Sequence, residues 1–292
     1  MAILERAYDR IECRHGTFTI NLNDTYVGRS LRRYGEWSEA ELALFARFIE
    51  PGATVVEAGA NIGAHTVWLS QRVGENGTVI AFEPSRLTFQ LLCANLAGNE
   101  RFNVIARAEG LGAKRMTAAL PSRDPRTPFN FGATSFHDLS AERTESVDIL
   151  PLDDLGLSRL DLLKADVEGM ELDVLDGALE TISRCRPVVY VEINSLHVRD
   201  GAILRLSNLG YHGFYYITSM YNSNNWNNDP EDVFNYYSFD LILIPQERFS
   251  CSGLPSASLG DDNYVVEGDA VRWRAHDWRE AMITRLEPQG DL

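Results

Sequence analysis

From Val55 to Leu69 the chain runs Val-Val-Glu-Ala-Gly-Ala-Asn-Ile-Gly-Ala-His-Thr-Val-Trp-Leu, an apolar strand that passes through a glycine turn into a helix. No other stretch constrains the fold as tightly. Val55 and Val56 supply the strand, Glu57 puts a carboxylate near its end, and Gly59 and Gly63 bracket a turn without side-chain bulk. A ligand can approach such a backbone closely and reach the free N–H groups that open the helix. A corner that binds nothing fits the same residues, so the turn alone identifies no ligand.

The next strand narrows the choice. Thr78 to Phe82 is apolar and ends in Glu83-Pro84. Glu83 stands about twenty residues past the turn, where an acid can accept from both hydroxyls of a ribose. A dinucleotide fingerprint needs glycine at the second turn position, so that a pyrophosphate can approach the backbone. Here that position is Asn61, which disfavours an NAD-linked enzyme. The pattern suits a nucleoside cofactor without a pyrophosphate, such as S-adenosyl-L-methionine.

Strand and helix signals alternate around this unit. Residues 17–27 open with period-two alternation, and Ser38-Glu39-Ala40-Glu41 reads as a capping box that starts a helix. Strands are expected at Thr54–Ala58, Thr78–Phe82, Phe102–Ala106, Leu160–Lys164 and Val188–Ile193, with helices at Gly63–Val73, Ser85–Leu96 (closed by Gly98) and around Ala202–Leu209. Between Glu168 and Ser183, Leu172, Leu175, Leu179 and Ile182 recur at helical spacing and predict one continuous helix. Phe214–Thr218 and Phe239–Pro245 look like a final strand pair. Residues 110–146, with Pro121, Pro125 and Pro128, read as loops or short edge strands. Alternation of this kind argues for a parallel sheet with helices on both faces. The chain divides into a strand-and-helix cap (1–50), a cofactor-binding domain (51–250), and a linker with an extension (251–292) that carries a short helix around Val271–Leu286.

Composition sets outer limits. The 292 residues carry a net charge of −15, which argues against a nucleic-acid partner, whose binding rests on cationic contacts. Arg29, Arg32 and Arg33 cluster, either as a solvated face or as a receptor for an acceptor's phosphate or carboxylate. Cys13, Cys93, Cys185 and Cys251 are widely spaced, with neither a zinc pattern nor a disulfide framework. The first ten residues carry charge throughout with no signal-peptide core, and no stretch reaches the ~20 apolar residues of a membrane span. A soluble, cytoplasmic protein is expected. Homo-oligomerisation is left open.

Taken in order, Tyr34-Gly35-Glu36-Trp37-Ser38-Glu39, Val56-Glu57-Ala58-Gly59-Ala60-Asn61-Ile62-Gly63, Ala81-Phe82-Glu83-Pro84, Leu152-Asp153-Asp154-Leu155, Leu163-Lys164-Ala165-Asp166-Val167-Glu168-Gly169-Met170-Glu171 and Val191-Glu192 resemble the FkbM family of S-adenosylmethionine-dependent methyltransferases. The resemblance covers roughly residues 16 to 245; Asp-Val-Glu-Gly after Leu-Asp-Asp-Leu is its specific part. Glu57 stands where the family usually has aspartate, which keeps the carboxylate. The resemblance implies a class I methyltransferase fold, Rossmann-like α/β, with a seven-stranded mostly parallel sheet, a C-terminal antiparallel hairpin and helices on both faces. It also implies that Gly59, Asn61 and Gly63 contact the methionine part of the donor, Glu57 its ammonium and Glu83 its ribose.

Methyl transfer to a hydroxyl is helped by a base that takes the leaving proton. Asp166, Glu168 and Glu192 end the fourth and fifth strands of the unit, beside the expected methyl position, and His197 follows. Asp166 and Glu168 are the favoured base or positioning residues; Glu168 also fits an acid at a helix N-terminus with no chemical role. Carboxylates suit magnesium, but scattered acids meet ligand chemistry more often than ligand geometry, so no metal is assigned. The loop from Met220 to Asp229 interleaves aromatic rings with amides, which suits a sugar, and Tyr221, Asn225 and Trp226 are its candidate contacts. These features point to an O-methyltransferase acting on a sugar, glycan or secondary metabolite. An N- or carboxyl-methyltransferase and a non-catalytic cofactor-binding or partner module are the alternatives.

Overall fold

In the computed structural model, residues 6–138, 142–248, 254–261, 264–267 and 270–273 are described. The chain starts with an antiparallel hairpin, β1 (Tyr8–Cys13) and β2 (Gly16–Asn21). The second strand stops at Asn21, short of the 17–27 expected, because the Asn21 carbonyl and side chain turn back onto the amides of Asp24 and Asn23. Asp24 then accepts from the N–H groups of Tyr26 and Gly28 and starts α1 (Val27–Tyr34), a helix the sequence reading lacked. α2 (Glu39–Phe45) begins where expected, but not through a capping box. Ser38 takes a left-handed conformation (φ 44°), and its hydroxyl donates to the Glu41 carboxylate instead of capping the backbone.

The central unit follows the expected alternation: β3 (Thr54–Ala58), α3 (Ala64–Val73), β4 (Thr78–Phe82), α4 (Arg86–Gly98) and β5 (Val104–Arg107). α4 runs through Gly98 instead of closing before it. The side chains of Asn95 and Asn99 accept from the Thr19 and Thr17 amides at 2.6 and 2.9 Å and fasten the hairpin to this helix. The middle stretch is more ordered than its prolines suggested. β6 (Gly110–Leu111), β7 (Met116–Pro121) and β8 (Thr144–Leu150) form a separate three-stranded sheet, and a 3-10 turn spans Phe131–Ala133.

β9 (Leu162–Ala165) precedes the segment expected to be one helix. That segment is two, α5 (Glu171–Asp176) and α6 (Leu179–Cys185). The break lies at Gly177, where an added Cβ would stand 2.1 Å from the Gly112 carbonyl oxygen, so two backbones pass there without room for a side chain. β10 (Val188–Glu192), α7 (Leu196–Ser207), β11 (Tyr211–Ser219) and β12 (Tyr237–Pro245) complete the main sheet, with β11 and β12 as the antiparallel pair.

The order β5-β4-β3-β9-β10-β12-β11 is the seven-stranded, mostly parallel sheet of the class I methyltransferase fold. β13 (Ser256–Ala257), from the stretch read as linker, adds an eighth strand beside β11. The strand order reverses between β3 and β9, the switch point where open α/β sheets bind ligands. β14 (Tyr264–Glu267) and β15 (Ala270–Trp273) pair with each other. Residues 271–273 are therefore strand, not the start of the helix expected at 271–286, whose remaining residues lie outside those described. One face of the sheet packs on α5, α6 and α7, and the other on α2 and α3. Among the described residues, no helix is long and apolar enough to cross a membrane.

Candidate active site

Strand register builds the site row by row on the face that packs against α2 and α3. Side chains alternate along a strand, so every second residue shares a face. Val55, Leu162 and Val188 form an apolar row of the core. One step towards the C-terminal ends, Glu57 pairs with Lys164 and Lys164 with Tyr190. One step further come Gly59, Asp166 and Glu192, with Asp240 opposite Glu192 on the antiparallel β12. The same face thus passes from hydrocarbon to buried charge to an open cavity.

That cavity measures about 330 Å3. Seven carboxylates line it (Glu41, Glu57, Glu83, Asp166, Glu168, Glu192 and Asp240), along with Lys164 and His65. Lys164 is buried and donates to Asp166 Oδ2 at 2.8 Å. Burial opposes its charge, but Asp166, Glu57 and Glu41 outweigh that and hold its pKa above that of a free lysine. Burial drives Glu57 up to about 7 against the pull of Lys164 and of the Thr66 hydroxyl, which donates to Glu57 Oε2 at 2.6 Å. Burial likewise raises Glu41 and lifts Asp240 well above the usual carboxylate range.

The turn after β3 is held by Glu83. Its two oxygens accept from the amides of Asn61 and Ser85, each at 2.9 Å, so it braces the turn and keeps further lone pairs for a ligand. Burial raises this carboxyl to about 7. Asn61 is left-handed (φ 51°), and its side-chain oxygen accepts from the Ile62 amide. Glu83 borders both the large cavity and a smaller one of about 50 Å3, walled by Phe82, Leu111, Phe131, Phe136 and Met170 and also reached by Ser85, Thr134, Asp166 and Glu168. An acid at the seam of an acidic chamber and an aromatic-walled slot with polar edges suits a ligand with a sugar between a base and a charged tail.

Asp166, Glu168 and Glu192 each bring one oxygen into a group with all separations within 4.8 Å. Burial, then the charges of Asp166 and Glu171, raises Glu168 to about 8; burial, then the charges of Asp166, Glu168 and Asp240, lifts Glu192 well above its ordinary value. Carboxylates this close share protons instead of all ionising. Glu168 precedes α5 in a left-handed turn (φ 51°), and its carbonyl accepts from the Ser135 hydroxyl. It is therefore not a helix acid.

Of the residues read from sequence as site residues, Glu57, Gly59, Asn61, Glu83, Asp166, Glu168 and Glu192 line this chamber. Gly63 does not. Its φ of 87° starts α3, and an added Cβ would meet Leu92 at 2.8 Å. His197 is exposed on α7, away from both cavities. Tyr221, Asn225 and Trp226 also lie outside the lining. The Tyr221 hydroxyl donates to the Asp229 carbonyl and the Asn225 amide to those of Asn222 and Asp229, while Trp226 is half exposed. Arg33 of the arginine cluster is paired with Asp229 and Glu231.

Tyr26, Trp37, Asn130, Asn194 and Tyr236 line the cavity without having been singled out from sequence, as do Glu41, His65, Lys164 and Asp240. A signal existed for two of them. Lys164 and Asp240 interrupt apolar strands at positions that period two assigns to the interior.

The "Methyltransferase FkbM domain" family model matches residues 57–212, over half of the chain. Two fungal proteins are similar in sequence. "Methyltransferase 1" of Beauveria bassiana is 31% identical over 42% of this chain and 57% of its own length. "Methyltransferase sdnD" of Sordaria araneosa is 30% identical over 43% and 60%. The matched region thus spans less than two thirds of either relative. Among solved structures, the methyltransferase FkbM of Methylobacillus flagellatus KT aligns at 19% identity over 75% of this chain and 55% of its own, with a TM-score of 0.40. M. jannaschii TYW2, solved in complex with AdoMet, aligns at 14% identity over 83% and 87%, with a TM-score of 0.45. The family model covers more than half of the chain, from Glu57 to His212, and the chain belongs to the FkbM methyltransferase family.

Proposed function

We propose that the chain is an S-adenosyl-L-methionine-dependent O-methyltransferase acting on a hydroxyl of a sugar, glycan or related secondary metabolite. The observation that carries this reading is the position of Glu83 where a slot walled by aromatic rings opens onto an acidic chamber. In this reading the slot holds the adenine, Glu83 accepts from the ribose, and Glu57 and the turn at Gly59–Asn61 face the methionine end. The donor, when bound, supplies an electrophilic methyl group on a sulfonium. The residues fit it in chemistry as well as shape, because an acidic chamber favours a ligand carrying sulfonium and ammonium charges.

On the protein's side, the acceptor hydroxyl loses its proton as the new bond forms. Asp166, Glu168 and Glu192 are grouped at the strand ends to take it. Glu168, raised to about 8, has a proton affinity within reach of neutral pH, where a carboxyl is most effective as a general base. Tyr26 and Tyr236, with the amides of Asn130 and Asn194, offer ring faces and paired donors and acceptors at the same cavity. That chemistry suits a polyhydroxylated acceptor.

The test is methyl transfer from labelled S-adenosylmethionine into a panel of sugars, nucleotide sugars, glycolipids and amines, with and without EDTA. Product on a hydroxyl acceptor at an EDTA-insensitive rate is the expected result. Transfer confined to amines would overturn the oxygen assignment, and calorimetric binding of NAD in place of the donor would overturn the cofactor.

A further inference from the structure

His65 lies in the first turn of α3, just after the glycine turn, and its ring borders the large cavity. The side chain is 5% exposed, yet Nε2 has no hydrogen-bond partner among the described residues. Such an atom is costly to bury unless something meets it. The ring's one backbone hydrogen bond is with Trp37, and with Nε2 unpartnered it belongs to Nδ1. Burial, reinforced by the Lys164 ammonium, holds the imidazole neutral. A neutral ring whose Nδ1–H is already donated leaves Nε2 as an acceptor. Nothing in the reaction outlined above uses it.

The surroundings say what kind of donor it awaits. Glu41 Oε2 is 3.9 Å from His65 Nδ1, and Glu41 and Glu57 both border the same chamber. Glu57 meets the Thr66 hydroxyl and Glu41 the Ser38 and Tyr190 hydroxyls, and each keeps further lone pairs. The Lys164 charge between them is already directed to Asp166. Two acids and one neutral nitrogen make three acceptors, and an incoming cation would offset the burial that raises the acids. A hydroxyl brings one donor and no charge; an ammonium brings three donors and a positive charge.

We propose that His65 positions the α-ammonium of the methyl donor, with Nε2 completing a three-acceptor cradle alongside Glu57 and Glu41. This rests on the donor assignment made above. It assigns to this chain a recognition element for the amino-acid tail that lies outside the glycine turn.

The test compares S-adenosylhomocysteine, which has the amino-acid tail, with methylthioadenosine, which lacks it, by calorimetry. His65→Phe is expected to weaken S-adenosylhomocysteine about 10- to 100-fold, the usual scale for a hydrogen bond to a charged group, and to leave methylthioadenosine unchanged. His65→Gln, which keeps an acceptor, should recover most of the loss. In the unaltered protein, the imidazole 15N signal of Nε2 should move with S-adenosylhomocysteine and stay in place with methylthioadenosine. Equal losses for both ligands, no loss for either, or an unmoved Nε2 signal would overturn the assignment while leaving the donor reading intact. Failure of the unaltered protein to bind S-adenosylhomocysteine at all would remove both.

Discussion

Glu168 combines a left-handed backbone, a carboxyl raised to about 8 by burial and by its acidic neighbours, and a place in the cavity lining. A carboxyl that keeps its proton below pH 8 becomes a competent base as pH rises through that value. With Glu168 as the base, kcat should climb with pH and level off above about 8. Glu168→Gln should lower kcat by about 10²- to 10⁴-fold and abolish that climb, with the KM for S-adenosylmethionine little changed. A pH–rate profile on both proteins checks this. An unaltered climb in the variant would move the base to Glu192.

At the scale of elements, the decisive junction is where β3 ends against the segment after β9. Gly59 has φ 83°, and an added Cβ would fall 1.8 Å from the Asp166 carbonyl oxygen, so the turn and the carboxylate-bearing segment touch backbone to backbone. Gly59→Ala should therefore destabilise the fold by more than the roughly 1–3 kcal/mol of an unfavourable φ and displace Asp166, with donor binding lost. Gly156→Ala is the matched comparison. Its φ of 58° is also left-handed, but nothing lies within 4 Å of an added Cβ. It should cost about 1–2 kcal/mol and leave binding unchanged. Denaturant melts with donor titrations on both variants separate strain from collision.

For the whole molecule, the acidic chamber makes stability depend on pH in an unusual direction. Glu57 and Glu83 sit at about 7 when folded, against an ordinary value of 4.5. Between those limits the folded state retains protons that the unfolded chain has released, so stability falls as pH rises from about 5 to about 8. Growing negative charge on a chain of net −15 acts in the same sense. The ligand-free protein should melt several degrees lower at pH 8 than at pH 5.5, a difference on the order of a few kcal/mol. S-adenosylhomocysteine, by supplying a cation, should shrink that difference. Thermal melts across pH with and without it are the measurement, and a Tm that rises over this range would contradict the buried acids.

The fold was legible in the sequence because burial on a parallel sheet imposes period and length on each segment. β3 and β4 match their expected bounds, and β10 lies close to its own. One wall of the candidate site was legible for the same reason, since Glu57, Gly59, Asn61 and Glu83 are set by one strand–turn–helix–strand unit. Local pattern misled where a partner distant in sequence decided the outcome. The continuous helix from Glu168 broke at Gly177 because Gly112 lies against it. The aromatic loop near Trp226 is spent on its own hydrogen bonds and on α1. Glu41, His65, Lys164 and Asp240 come from four separate elements, and no spacing along the chain announces that they face one chamber. What the sequence by itself determined was the sheet and its nucleotide corner, through periodicity and turn chemistry within a few tens of residues. Only the tertiary structure decided which charges meet behind that corner, because cross-strand register brings together residues separated by more than a hundred positions.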